Sequence, residues 1–328
     1  MTLYIPDKWI WDFWLAQNGP DYHLFYLQAP RSLLREELRH QNATIGHAVS
    51  QDLRHWEILP DALHPGPAPA WDDAATWTGS IIQHNGLWYM FYTGVNHAEK
   101  GLVQRIGLAT SSDLVRWQKH PANPLIEADP QYYELLDLTS WHDQAWRDPW
   151  VFRHPDTGDF HAFITARVNT GPADARGVIG HARSTNLINW EVLPPVTAPG
   201  EFGHLEVPQV VNIHPHYYLL FSTNTTTHAA QRLQRTGLPP QTGTHYLVSR
   251  NPLGPYAYLT DEFLVGDRHG SLYAGKLVQA PDGQWTFLAW RGFTATGDFI
   301  GALADPIPVE VNGNGLLKIQ WPEPPPQD

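Results

Sequence analysis

Short aromatic and β-branched runs recur along the chain: YHLFYLQ from Tyr22, WYMFYTG from Trp88, FHAFITA from Phe160, YYLLFST from Tyr217 and WTFLAWR from Trp285. Their composition is that of strands. Behind three of them stands a near copy of one segment, IGHAVSQDLRHWEILP from Ile45, IGLATSSDLVRWQKHP from Ile106 and IGHARSTNLINWEVLP from Ile179. The shared pattern is I-G-x-A-x-S-x-(D/N)-L-x-x-W. A fainter copy, IGALADPIPVEV, begins at Ile300, and THYLVSRNPLGPY from Thr244 takes the corresponding place without the Ile-Gly.

Five runs precede five copies, and the units they mark consume the 328 residues. An all-β unit of several strands cannot bury its own faces, so repetition at this period predicts radial stacking. We expect an all-β fold, a single five-bladed β-propeller over residues 1–328 with a central axial pit. Two stacked sandwiches would need a linker near the middle, and none is visible. A Pro-rich tail, PEPPPQD at 322–328, is expected to be a frayed end.

Composition narrows the class. Charged residues make up 16% and aromatics 12%, with 15 Trp, 29 Pro and 26 Gly, as suits a compact, turn-rich β protein. The net charge of −12 opposes general affinity for nucleic acid or an anionic membrane, so a neutral small molecule is the better partner. There is no Cys, which removes disulfides and thiolate chemistry. The N-terminus MTLYIPDKWIWDFW lacks the charged and apolar regions of a secretory signal, and a cytoplasmic location is expected. A mature secreted chain without Cys would read the same way.

The stretch WRDPWVF, residues 146–152, sets Arg147 and Asp148 among tryptophans. Desolvated charges are costly unless paired or used. If each aromatic run is the second strand of its blade, the strand about ten residues upstream lines the axis. Asp12 lies ten residues before Tyr22, Asp148 twelve before Phe160 and Glu206 eleven before Tyr217. Three blades would thus present carboxylates at equivalent axial places. The other two blades offer Trp77-Thr78-Gly79-Ser80 and His269-Gly270-Ser271-Leu272-Tyr273. Converging acids with aromatic walls suit glycoside cleavage, where one acid protonates the leaving oxygen and another attacks or stabilises the oxocarbenium-like centre. The bland reading makes each Asp a turn residue and the Arg147–Asp148 pair a structural ion pair.

These residues carry a resemblance. The chain resembles the five-bladed propeller glycoside hydrolases that act on fructosides, the invertase and levanase family, with the levansucrases close by. Trp11-Asp12-Phe13-Trp14 resembles the family's opening segment, Trp77-Thr78-Gly79-Ser80 its (W/F)-S-G-S segment, Arg147-Asp148-Pro149 its R-D-P motif, and Glu206-Val207 its E-C motif. The resemblance implies Asp12 as nucleophile, Glu206 as acid/base and Asp148, with Arg147, as a transition-state stabiliser that binds sugar hydroxyls. It implies cleavage of β-fructofuranosidic bonds with retention, the reacting carboxyls about 5–5.5 Å apart. Trp11, Gln28, Trp77, Ser80 and Tyr273 would line the innermost subsite.

Departures exist. The usual N-D-P-N-G opening is replaced by a levansucrase-like W-D-x-W, Val207 stands where Cys is usual, and no C-terminal β-sandwich is expected. The segment DRHGSLYAG, with His269, equally resembles the arabinanase and xylosidase propellers, which invert. An inverting pentosidase and a non-catalytic sugar-binding propeller therefore remain as alternatives. The 18 His show no zinc spacing, and a structural Ca²⁺ in the axial channel, near His269 or the carboxylates, is supported by no loop motif, so no cofactor is expected. The repeated S-x-(D/N)-L-x-x-W reads as structural, a turn followed by an interblade Trp.

Overall fold

The computed structural model describes residues 3–321, so the tail at 322–328 lies outside the described residues. Its strands form five antiparallel sheets, taken in chain order around a ring. The inner strands are Lys8–Asn18, Ala75–His84, Trp146–Arg153, Glu206–Ile213 and Leu272–Gln279, and each pairs with the aromatic run that follows it. The expected propeller is therefore the observed fold. In blades 1 to 4 the repeat segment, or its counterpart from Thr244, is the third strand. In blade 5 that strand is split into Phe299–Leu303 and Ile307–Val311, which accounts for the faintness of the Ile300 copy.

The repeat has a physical basis. Its Gly lies against an aromatic ring: a Cβ on Gly46 would run into Tyr26, and one on Gly107 into Trp71. Its Asp or Asn accepts backbone N–H groups of the following turn, as Asp52 does from Arg54 at 2.8 Å and His55 at 2.7 Å. That turn drives Leu53, Leu114 and Leu187 into the left-handed region, at φ of 62°, 64° and 67°, while burying each of them completely. The Trp then reaches the preceding blade. Trp117 meets Phe25 edge-on at 5.6 Å and Trp190 meets Phe91 at 5.2 Å, the interblade packing that such rings favour.

Blades 1 and 5 close the ring through the N-terminal segment. Leu303 donates its N–H to Leu3, Arg31 donates to Ile300 and Gly301, and the Tyr22 hydroxyl donates to Gln279.

All five inner strands carry a β-bulge at the same height, after Trp11, Trp77, Arg147, Glu206 and Tyr273. The bulge residues are Asp12, Thr78, Asp148, Val207 and Ala274, and the last three of these residues have φ of 57°, 53° and 50°. Bulges re-aim side chains, and here those of Asp12, Thr78 and Asp148 turn into the axial pit. They also correct one expectation: Asp12 and Asp148 share a phase, but Glu206 sits one residue earlier, in the place held by Arg147 and Tyr273.

The third strands of blades 1 and 3 place His47 and His181 against His23 and His161, with ring nitrogens 2.9 and 2.8 Å apart. Burial drives His47 and His181 down to about 3. A base depressed in the folded state costs nothing above its ordinary pKa near 6.5 and destabilises the fold progressively as pH falls below it. Urea unfolding of His181→Gln should therefore show a flatter loss of stability than the unsubstituted protein between pH 6.5 and 4. The difference should approach about 1.4 kcal/mol per pH unit.

Candidate active site

At one end of the axis the bulges surround a pit of about 660 Å³, lined by Asp12, Thr78, Asp148, Glu206, Tyr273 and Trp290 together with Trp11, Trp77 and His269. A roomier cavity of about 810 Å³ between blades 4 and 5 contains none of the three acids. The pit is thus the chemical centre, whatever the relative volumes.

Each acid is held by a distinct set of donors. Thr78 Oγ1 donates to Asp12 Oδ2 at 2.7 Å, and Trp290 Nε1 to Asp12 Oδ1 at 2.9 Å. Asp148 Oδ2 accepts from Thr165 Oγ1 at 2.9 Å and from the Val207 N–H at 3.2 Å. Arg147 Nη2 reaches Glu206 Oε1 at 2.6 Å, and the Tyr273 hydroxyl donates to Oε2 at 2.5 Å. Arg147 also lies 3.3 Å from Asp143 and 3.6 Å from Asp148. WRDPWVF therefore encodes an ion pair and a wall of the site at once.

Burial sets the protonation. It raises Asp12, with Glu206 adding to the effect and Thr78, Trp290 and Lys276 opposing it. Burial likewise pushes Asp148 up to about 7, against Arg147 and with Asp12 and Glu206. Glu206 feels the same desolvation, but His204, Arg147 and the Tyr273 hydroxyl outweigh it and hold the carboxyl at about 2. His204 is itself pushed down to about 4 by burial, so at neutral pH it is uncharged and Arg147 and Tyr273 carry the effect. The acid proton of the cluster therefore belongs to the Asp12–Asp148 side.

Two of the residues expected in the subsite lie outside the pit. Gln28 accepts from Lys8 Nζ at 3.1 Å and donates to Thr44 at 3.2 Å, because the pleat turns it away where its neighbour Leu27 faces inward. Ser80 lies two residues past the bulge and accepts the Val151 N–H at 2.9 Å, tying blade 2 to blade 3. Trp11 packs edge-on to His40, and Trp77 Nε1 donates to the His40 carbonyl at 2.7 Å. His269 stands on the Asp267–Ser271 turn, where it accepts from Arg268 at 2.9 Å. Thr78, Asp143, His204 and Trp290 also line the pit, and no motif in the sequence assigns them a role. Thr78 alone carried a signal, being in phase with Asp12 and Asp148. No group of three or more metal-ligating side chains is arranged to hold an ion among the described residues.

Opposed acids in an aromatic pit at a propeller axis define a glycoside hydrolase. The profile of the glycosyl hydrolases family 32 N-terminal domain matches residues 14–299, and the chain belongs to that family. It is 26% identical to an extracellular sucrase of Zymomonas mobilis, over 95% of this chain and 81% of that protein. Among solved structures, the inulosucrase of Halalkalicoccus jeotgali bound to kestose is similar with a TM-score of 0.77 at 23% identity, covering 96% of this chain and 87% of that one. Bacillus subtilis levansucrase follows at 0.75 and 14%, covering 97% and 87%. Those two likenesses show the fold. Asp12 lies two residues ahead of the matched span, so its place in the site rests on the geometry above.

Replacing Tyr273 by Phe removes a donor from Glu206 Oε2 while keeping the ring against Trp290. Glu206 should then titrate at higher pH, read by ¹³C-carboxyl NMR, and an unchanged titration would contradict the assigned hydrogen bond.

Proposed function

We propose that the protein is a retaining β-fructofuranosidase acting on sucrose-like or short fructo-oligosaccharide substrates. The observation that carries this is the convergence of Asp12, Asp148 and Glu206, from blades 1, 3 and 4, in one aromatic pit. Asp12 has a donor on each oxygen, which aims the carboxylate and limits its motion. It is the nucleophile, and its attack on the anomeric carbon forms a fructosyl ester as the glycosidic bond breaks. Glu206 gives its proton to the departing oxygen, then takes one from the water that cleaves the ester. Asp148 places its bonded Oδ2 toward blades 3 and 4 and offers Oδ1 to sugar hydroxyls.

The proton must reach Glu206 before the bond breaks. Sugar hydroxyls that donate to Asp148 favour its ionised form, and a glycosidic oxygen beside Glu206 favours the protonated one. Substrate binding thus shifts the shared proton across the pit. No cofactor enters this chemistry, since nucleophile, acid and stabiliser all come from the chain.

Asp12→Asn and Glu206→Gln should each lower kcat on sucrose by at least about 10³-fold. Fructose release left intact by either change would overturn the assignment. Fructose should leave with the configuration of the substrate, visible by NMR before mutarotation. Because the cluster loses its proton as pH rises through about 7, kcat/KM should decline above that pH. A kcat/KM still rising at higher pH would contradict a shared acid proton.

A further inference from the structure

Below the acids, on the axis, lies a buried cation with no part in the steps above. Lys276, on the inner strand of blade 5, is 3% exposed. Its Nζ donates to the Val207 carbonyl at 2.8 Å and the Pro208 carbonyl at 3.2 Å, and it lies 5.5 Å from the centre of the Trp150 ring. On its far side is a separate cavity of about 240 Å³, lined by Trp14, Trp150 and Gln209. Val207 is the left-handed bulge residue that follows Glu206, and its own N–H binds Asp148 Oδ2.

We infer that Lys276 is a positioning residue: its ammonium clamps the bulge that joins Glu206 to Asp148 and supplies positive charge beneath the acids. The charged groups facing it are Asp12 from blade 1 and Asp148 from blade 3. Burial lowers Lys276 to about 7 against their pull, so the charge is present on the acid side of neutrality. There it opposes the rise of Asp12. The clamp sets the angle between the acid/base and the stabiliser, and the charge favours the ionised nucleophile. This role rests on the fructosidase reading only for its effect on rate.

The test titrates aspartate side chains by ¹³C-carboxyl NMR below pH 7 in the unsubstituted protein, Lys276→Met and Lys276→Gln, beside kcat/KM on sucrose. Asp12 should titrate at higher pH in both variants. The rate should fall about 10²-fold in Lys276→Met, with partial recovery in Lys276→Gln, whose amide can still donate to Val207. Unchanged aspartate titrations would overturn the electrostatic role, and equal rates in the two variants would overturn the clamp. If Lys276→Met fails to fold, Lys276→Gln carries the titration. If the unsubstituted protein releases no fructose, the fructosidase reading falls alone, because the titration needs no substrate.

Discussion

The site depends on one buried guanidinium. Arg147 is almost wholly withdrawn from water, yet it meets Asp143, Asp148 and Glu206 and donates to Gln104 at 2.9 Å. Its partners span the loops and inner strands of blades 2, 3 and 4. An isolated charge at that depth would be prohibitively costly, and a cluster of carboxylates without it would hold more protons or move apart. Arg147 thus keeps Glu206 acidic and leaves the shared proton to the Asp12–Asp148 side. Structural pairing and chemistry are the same interaction here.

The second constraint is the repeated bulge. Five inner strands of one architecture leave the ladder at one height, and either the bulge residue or the one before it lines the pit. Blades 1 and 3 use the bulge residue for a carboxylate and blade 2 uses it for Thr78, the donor to Asp12. Blade 4 places Val207 there and presents its acid from the preceding residue. Blade 5 places Ala274 there and presents Tyr273. A symmetric frame therefore yields an asymmetric site by shifting function between two adjacent positions. The left-handed backbone at Asp148, Val207 and Ala274 is uncommon for such residues, and the surrounding hydrogen bonds hold it.

The fold was legible because its signals are local. The I-G-x-A copies, their turn residues and the aromatic runs each encode a strand or corner within a dozen residues, and repetition supplied the arrangement. The three acids and Tyr273 were legible for the same reason, as residues at a repeating distance from those runs. The finer geometry was not. An extra bulge residue is invisible to counting, which puts Glu206 in phase with Asp148 although it stands one step away. Pleating turned Gln28 and Ser80 out of the pit. Trp290 meets Asp12 across 278 residues of chain, a contact that only closure of the ring creates. Lys276 looks like an ordinary strand residue until the axis is assembled around it.

The proposed retaining chemistry requires Asp12 to become covalently bonded to the sugar during turnover. The most direct measurement is to mix the protein with sucrose, quench in acid within milliseconds, and locate any added mass by peptide mass spectrometry. One fructosyl unit on the peptide containing Asp12, absent from Asp12→Asn, is the predicted result. Turnover with no adduct at any quench time, accompanied by release of the inverted anomer, would contradict the account.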